Sequence, residues 1–163
     1  MSKELLILVF SWIISVITLL SISKGKTRLH LIQVTFLFSQ SLAWLFEFIL
    51  VYFELVKFPY REFKIATSMS FSLYYLIFPT IGVLFILLYP KQPTMLKVLL
   101  YYLFFSMLIP TYTSLAEKYS KLFDFINWNW GIHVLSDLII FFILKKFIFW
   151  FKEGIDGLGA NKN

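Results

Sequence analysis

Five long apolar runs, separated by short polar and mostly basic stretches, set the pattern of this chain. They cover about residues 5–22, 30–55, 65–89, 97–116 and 132–151. A helix needs roughly 20 apolar residues to cross the hydrocarbon of a bilayer, and each run approaches or exceeds that length. Backbone groups cannot stay unpaired in lipid, so the runs are expected to be helices despite their strand-favouring Phe, Ile and Tyr. The joins are short: SKGKTR, VKFPYREFK with Pro59, PKQPTMLK after the Tyr89–Pro90 break, and EKYSKLFDFINWNWG, the longest. The first run is longer than a secretory h-region and no small-residue cleavage pattern follows it, so it is read as a retained span. The pattern predicts an all-α integral membrane bundle of five transmembrane helices. One domain is expected over residues 1–151, and the glycine-containing polar tail 152–163 is expected to be frayed.

Composition strengthens this reading. The chain is 60% hydrophobic and 21% aromatic, with a mean hydropathy of +0.80, well beyond a soluble domain. It has no cysteine, which excludes disulfides, thiolate metal sites and a cysteine nucleophile. The net charge of +6 falls in clusters between apolar runs. That is how a membrane protein orients itself, and it is a poor sign of nucleic-acid binding. With five spans, Lys24, Lys26, Arg28, Lys91, Lys97, Lys145, Lys146, Lys152 and Lys162 share one side. Lys3, Lys57, Arg61, Lys64, Lys118 and Lys121 share the other. The larger set is expected to be cytoplasmic, which places the N-terminus outside and the C-terminus inside the cell membrane.

The polar residues within the runs are the candidate chemistry. Gln33, Gln40, Glu47 and Glu54 recur every seven residues in the second run and are expected to form one helix seam, with Trp44 on the same side. The plain explanation is a seam satisfied inside the bundle; the sharper one is a lined binding cavity. Glu47 carries most weight, because a carboxylate at depth costs about 2.5–3.5 kcal/mol on insertion scales. In the fifth run His133 and Asp137 are four apart and share a face, within reach of a hydrogen bond. The third run begins TSMSFS and the fourth ends TYTSLAEK after Pro110, whose missing N–H frees a carbonyl that nearby hydroxyls can satisfy. Glu47, Ser70, Thr113, His133 and Asp137 should therefore lie at similar depth and line a cup open to one face. Together with Gln40 and Trp44 they form the ligand-binding set expected from the sequence. Trp128 and Trp130, just before the fifth run, suit the headgroup region, and Asn127, Asn129 and Gly131 suit a turn there.

Other chemistries have no sequence support. There is no phosphate loop, dinucleotide fingerprint, zinc-protease helix or nucleophile elbow. His30 and His133 fall near opposite faces and cannot share a metal. No span carries a Gly-x-x-x-Gly pair. No catalytic residue, metal or cofactor is expected.

Three stretches carry a resemblance: FPTIGVLFILLYPK (Phe78 to Lys91), Glu117-Lys118-Tyr119, and INWNWGIHVLSDLIIFF (Ile126 to Phe142). Over roughly residues 45–150 the chain resembles a family of small uncharacterised multi-pass membrane proteins of spore-forming Gram-positive bacteria. The resemblance implies a membrane bundle in a bacterial cell envelope and carries over no catalytic residue. Because no catalytic constellation appears and five spans enclose little volume, the function expected is a non-enzymatic accessory or assembly component. Its partners are the lipid bilayer and either another membrane protein or further copies of itself. A small-solute or cation transporter using the intramembrane carboxylates is the alternative, and an intramembrane enzyme using Glu47 or the His133–Asp137 pair is a third.

Overall fold

The computed structural model describes residues 2–23 and 26–160. Lys24, Gly25 and Lys162, which enter the charge argument or the first join, lie outside the described residues. The chain is all-α apart from one minimal strand pair. Helix α1 is Lys3–Ile22, α2 Lys26–Tyr52, α3 Leu73–Leu87, α4 Met95–Tyr119 and α5 Trp130–Ala160. Strands β1 (Val56–Lys57) and β2 (Asp124–Phe125) pair antiparallel, Val56 opposite Phe125.

Local chemistry sets the helix starts. Ser2 caps α1 by accepting the Leu5 N–H, Thr94 caps α4 by accepting that of Lys97, and Asn129 accepts the Ile132 N–H as α5 begins. Each satisfies a donor that the first turn leaves orphaned. At the end of α2, Glu54 takes a positive φ of 51°. Its N–H donates to Val51 O, and the Leu55 N–H donates to Leu50 O at 2.9 Å. This is a Schellman ending, with glutamate where glycine is usual.

The third helix starts later than its apolar run predicts. Residues 65–70 lie outside the helix, because Glu62 reaches over to the helix start. Its carboxylate accepts the Phe71 and Ser72 N–H groups at 3.1 and 3.0 Å and the Ser70 hydroxyl. An anion at a helix N-terminus meets both the free N–H groups and the dipole. The first turns of α3, Leu73–Ile77, are π-helical, and the Phe78 N–H donates to Leu73 O. Pro79 has no N–H and its ring would clash with the carbonyl of Tyr75; the wider turn relieves both.

The five helices run alternately up and down. Start of α1, end of α2, end of α4 and start of α5 gather at one end. There the Lys121 N–H donates to Glu4, the Tyr60 N–H donates to Lys121 O, and the Ile126 N–H donates to Leu55 O. The two loops at this end, with β1 and β2, bury Val56, Phe58, Leu122 and Phe123 and form a cap. At the other end Tyr89 packs on Tyr101 and Phe149 and beneath the Lys145 ammonium.

Helix α3 is the axis of the bundle, with Leu73, Val83 and Phe85 fully buried. Phe85 meets Phe141 at 4.6 Å, Tyr102 at 5.1 Å and Phe105 at 5.4 Å between ring centres, tying α3 to α4 and α5. Helix α1 is the opposite case: of its side chains only those of Leu8 and Ser15 are buried.

Among the described residues three helices are long and apolar enough to cross a membrane: α1, the Leu29–Tyr52 part of α2, and α4. That is compatible with membrane insertion. The expected third and fifth spans depart from this standard for identifiable reasons. Helix α3 is short, at about 22 Å, and α5 carries Asp137, Lys145 and Lys146. The tail also differs from expectation, since α5 stays helical to Ala160.

Candidate functional site

Helices α2, α3, α4 and α5 enclose a small cavity of about 40 Å³. Ser39, Ala43 and Phe46 of α2 form one wall, and His133, Asp137 and Phe141 of α5 another. Tyr74 and Gly82 of α3 and Ile109 of α4 complete it.

The α2 wall is not the predicted seam. Its buried stripe runs Ile32, Thr35, Ser39, Glu47 and Leu50, which follows the helical repeat. A strict seven-residue repeat drifts off one helix face by about 20° per step, and Gln33 is exposed while Gln40 is half-buried. Glu54 lies beyond the helix end and is exposed. The seam therefore meets the stripe only at Glu47. Trp44 is half-buried and packs on the core, and neither it nor Gln40 lines the cavity.

Glu47 is fully buried, at 0% exposure. Neither of its carboxyl oxygens has a hydrogen-bond partner among the described residues. Tyr74, in the π-helical turn, lies near enough to both Glu47 and Asp137 for its hydroxyl to feel either charge. Tyr74 lines the cavity and Glu47 does not.

Asp137 and His133, at 3% and 5% exposure, do share one face of α5. The nearest approach is 4.0 Å, from His133 Nε2 to Asp137 Oδ2, too long for the hydrogen bond that their spacing allows. Asp137 Oδ2 has no hydrogen-bond partner among the described residues. The other imidazole nitrogen, Nδ1, lies 3.5 Å from Thr113 Oγ1, whose hydroxyl donates to Pro110 O at 3.1 Å. A hydroxyl has one proton. With it given to Pro110, Thr113 accepts from the imidazole in the tautomer that carries its hydrogen on Nδ1, and in that tautomer Nε2 is an acceptor 4.0 Å from Asp137 Oδ2. Phe46, Trp128 and Phe125 surround the ring at 6.1, 5.9 and 6.4 Å between centres.

Two further expectations change. The cup open to one face is covered: the cap closes that end, and Ser70 is drawn away to Glu62. Trp128 does not stand free before α5, but packs half-buried on Phe46 and His133. Trp130 is 43% exposed, its indole N–H reaching Thr111 Oγ1.

Ser39, Tyr74 and Gly82 escaped the sequence reading. A Cβ on Gly82 would collide with Ser39 Oγ and lie 2.9 Å from Ser39 Cβ and 3.2 Å from Leu144 Cδ2. Glycine thus lets α2 and α3 close together beside the cavity. The missing Gly-x-x-x-Gly pair gave no hint of this contact, since one glycine facing a serine is enough. Among the described residues no group of three or more His, Cys, Asp or Glu side chains is placed to hold a metal ion. No protein-family model, curated protein or solved structure matches the chain.

Proposed function

We propose that the chain is a five-span integral membrane protein that serves as a non-enzymatic accessory or assembly component of a bacterial cell envelope. The observation that carries this reading is the contrast between inside and outside. The interior offers about 40 Å³, against roughly 300–1,000 Å³ for pockets that take small molecules. Outside, Leu6, Phe10, Ile13, Ile17 and Leu20 leave much of α1 uncovered, and Leu135, Ile139, Phe142 and Ile143 do the same on α5. Apolar surface on this scale needs lipid or a partner.

The alternating path of the helices supports five crossings. Helix α5 is long enough, and its apolar outer stripe meets lipid while Asp137 turns inward. The short α3 is sheathed by the other helices, so it crosses surrounded by protein. Nine basic residues fall at the α1–α2 join, the α3–α4 join and the C-terminal end against six on the other side, which supports a cytoplasmic C-terminus and an outside N-terminus. The bacterial setting rests on the resemblance noted from the sequence.

The buried, unpartnered Glu47 and Asp137 favour a second reading, a carrier of protons or small cations; the cavity volume argues against any larger solute. Affinity purification from native membranes separates the two. An accessory component should come away with a fixed membrane-protein partner at constant stoichiometry. Cation flux into proteoliposomes made with the pure chain alone would instead establish the carrier.

A further inference from the structure

Asp137 Oδ2 and Ser39 Oγ both line the cavity, both belong to residues more than nine-tenths buried, and neither has a hydrogen-bond partner among the described residues. His133 adds Nε2, an acceptor in the Nδ1–H tautomer, 4.0 Å from Asp137 Oδ2. A carboxyl group, a hydroxyl and a ring nitrogen thus belong to residues that line one space, and neither Asp137 Oδ2 nor Ser39 Oγ is matched among the described residues. The rest of the wall is mostly apolar, with the aromatic rings of Phe46, Tyr74, Phe78 and Phe141 among it.

We propose that this cavity is a binding site for one ammonium-type cation, ammonium itself or methylammonium, held by Asp137, His133 and Ser39. The carboxylate lining the cavity calls for a single positive charge, so a divalent ion would remain uncompensated and under-ligated. Hard metal cations take sets of oxygen ligands, whereas this wall supplies a carboxylate oxygen, a hydroxyl and a ring nitrogen. An N–H donor bonds oxygen and nitrogen acceptors alike. A single nitrogen reaches two acceptors 4.0 Å apart at about 2.9 Å from each. The aromatic walls favour a cation stripped of its water. The volume of about 40 Å³ admits a small ion and excludes a long-tailed amine. Ser39 is held in place by its contact with Gly82, so the helix packing shapes the site. The site stands whether the chain is an accessory component or a carrier, because binding does not require transport.

The test uses the full chain purified in detergent near neutral pH. Its thermal unfolding is followed while ammonium chloride or methylammonium chloride replaces sodium chloride at constant ionic strength. Wild-type protein should gain about 2–4 °C once ammonium reaches about five times its Kd, and the gain should go on rising with the logarithm of the ammonium concentration. Asp137→Asn should lose that gain, and Ser39→Ala, which keeps the charge, should raise the ammonium concentration needed by several-fold. Wild-type unfolding that is the same in ammonium and sodium overturns the proposal even if both variants misfold, leaving a cavity for water alone. An undiminished ammonium effect in a folded Asp137→Asn variant overturns it as well.

Discussion

Gly82→Ala is the perturbation whose consequence the geometry states most directly. The new methyl would collide with Ser39 Oγ and lie 2.9 Å from Ser39 Cβ. Rotating Ser39 moves the hydroxyl but not the Cβ, so α2 and α3 must separate. Overpacking of this kind costs about 1–3 kcal/mol, and the better helix propensity of alanine returns about 1 kcal/mol. A net loss of about 0–2 kcal/mol follows, and Gly82→Leu should exceed it because more atoms enter the same gap. The sharper signal is the coupling to Ser39→Gly, which removes both colliding atoms. The remaining contact is Leu144 Cδ2 at 3.2 Å, the far end of a flexible side chain. The double variant should recover about 1–3 kcal/mol relative to the sum of the single changes. Thermal or denaturant unfolding in detergent, read on all four proteins, measures this. Additive effects, or a Gly82→Leu protein as stable as wild type, would refute the close α2–α3 approach.

Glu47→Leu should be neutral or stabilising in unfolding experiments, because a buried carboxyl without a partner gives way to apolar volume, while exposed Glu54→Leu should stay within about 0.5 kcal/mol of wild type. A clear loss in Glu47→Leu would mean that the carboxyl is satisfied through Tyr74 or a bound species. Glu54→Gly should stabilise by about 1 kcal/mol by relieving the left-handed backbone at the end of α2, and a destabilised variant would contradict the Schellman ending. Phe85→Ala should lose about 3–5 kcal/mol, since its ring fills the junction of α3, α4 and α5; a loss under 1 kcal/mol in the same unfolding assay would mean that the junction collapses around the gap.

The helices were legible where the sequence speaks locally. Apolar runs gave five helices in order, and Asn129 marked the turn into α5. The start of α3 was not legible, because Glu62 holds residues ahead of it through a contact that no periodicity carries. The π-helical turn also escaped, although Pro79 was in view: a proline announces a disturbed turn without saying whether the helix breaks or widens. For the site, spacing alone brought His133 and Asp137 to one face and Thr113 near them. The seven-residue seam misled, since it tracks a 3.5-residue period and a straight helix buries its stripe on 3.6. Ser39, Gly82 and Tyr74 owe their roles to contacts between helices, which single-helix patterns do not encode.

Five crossings require α3 to be a full span, a requirement with a direct topological consequence. It is tested by single cysteines, introduced into a chain that has none of its own, at exposed Ser68 before α3 and exposed Gln92 after it. An impermeant thiol reagent is applied to intact cells and then to inverted vesicles. Ser68→Cys should react from outside only and Gln92→Cys from the cytoplasmic side only. Labelling of both from the same side would show that Leu73–Leu87 does not cross, and would contradict the five crossings.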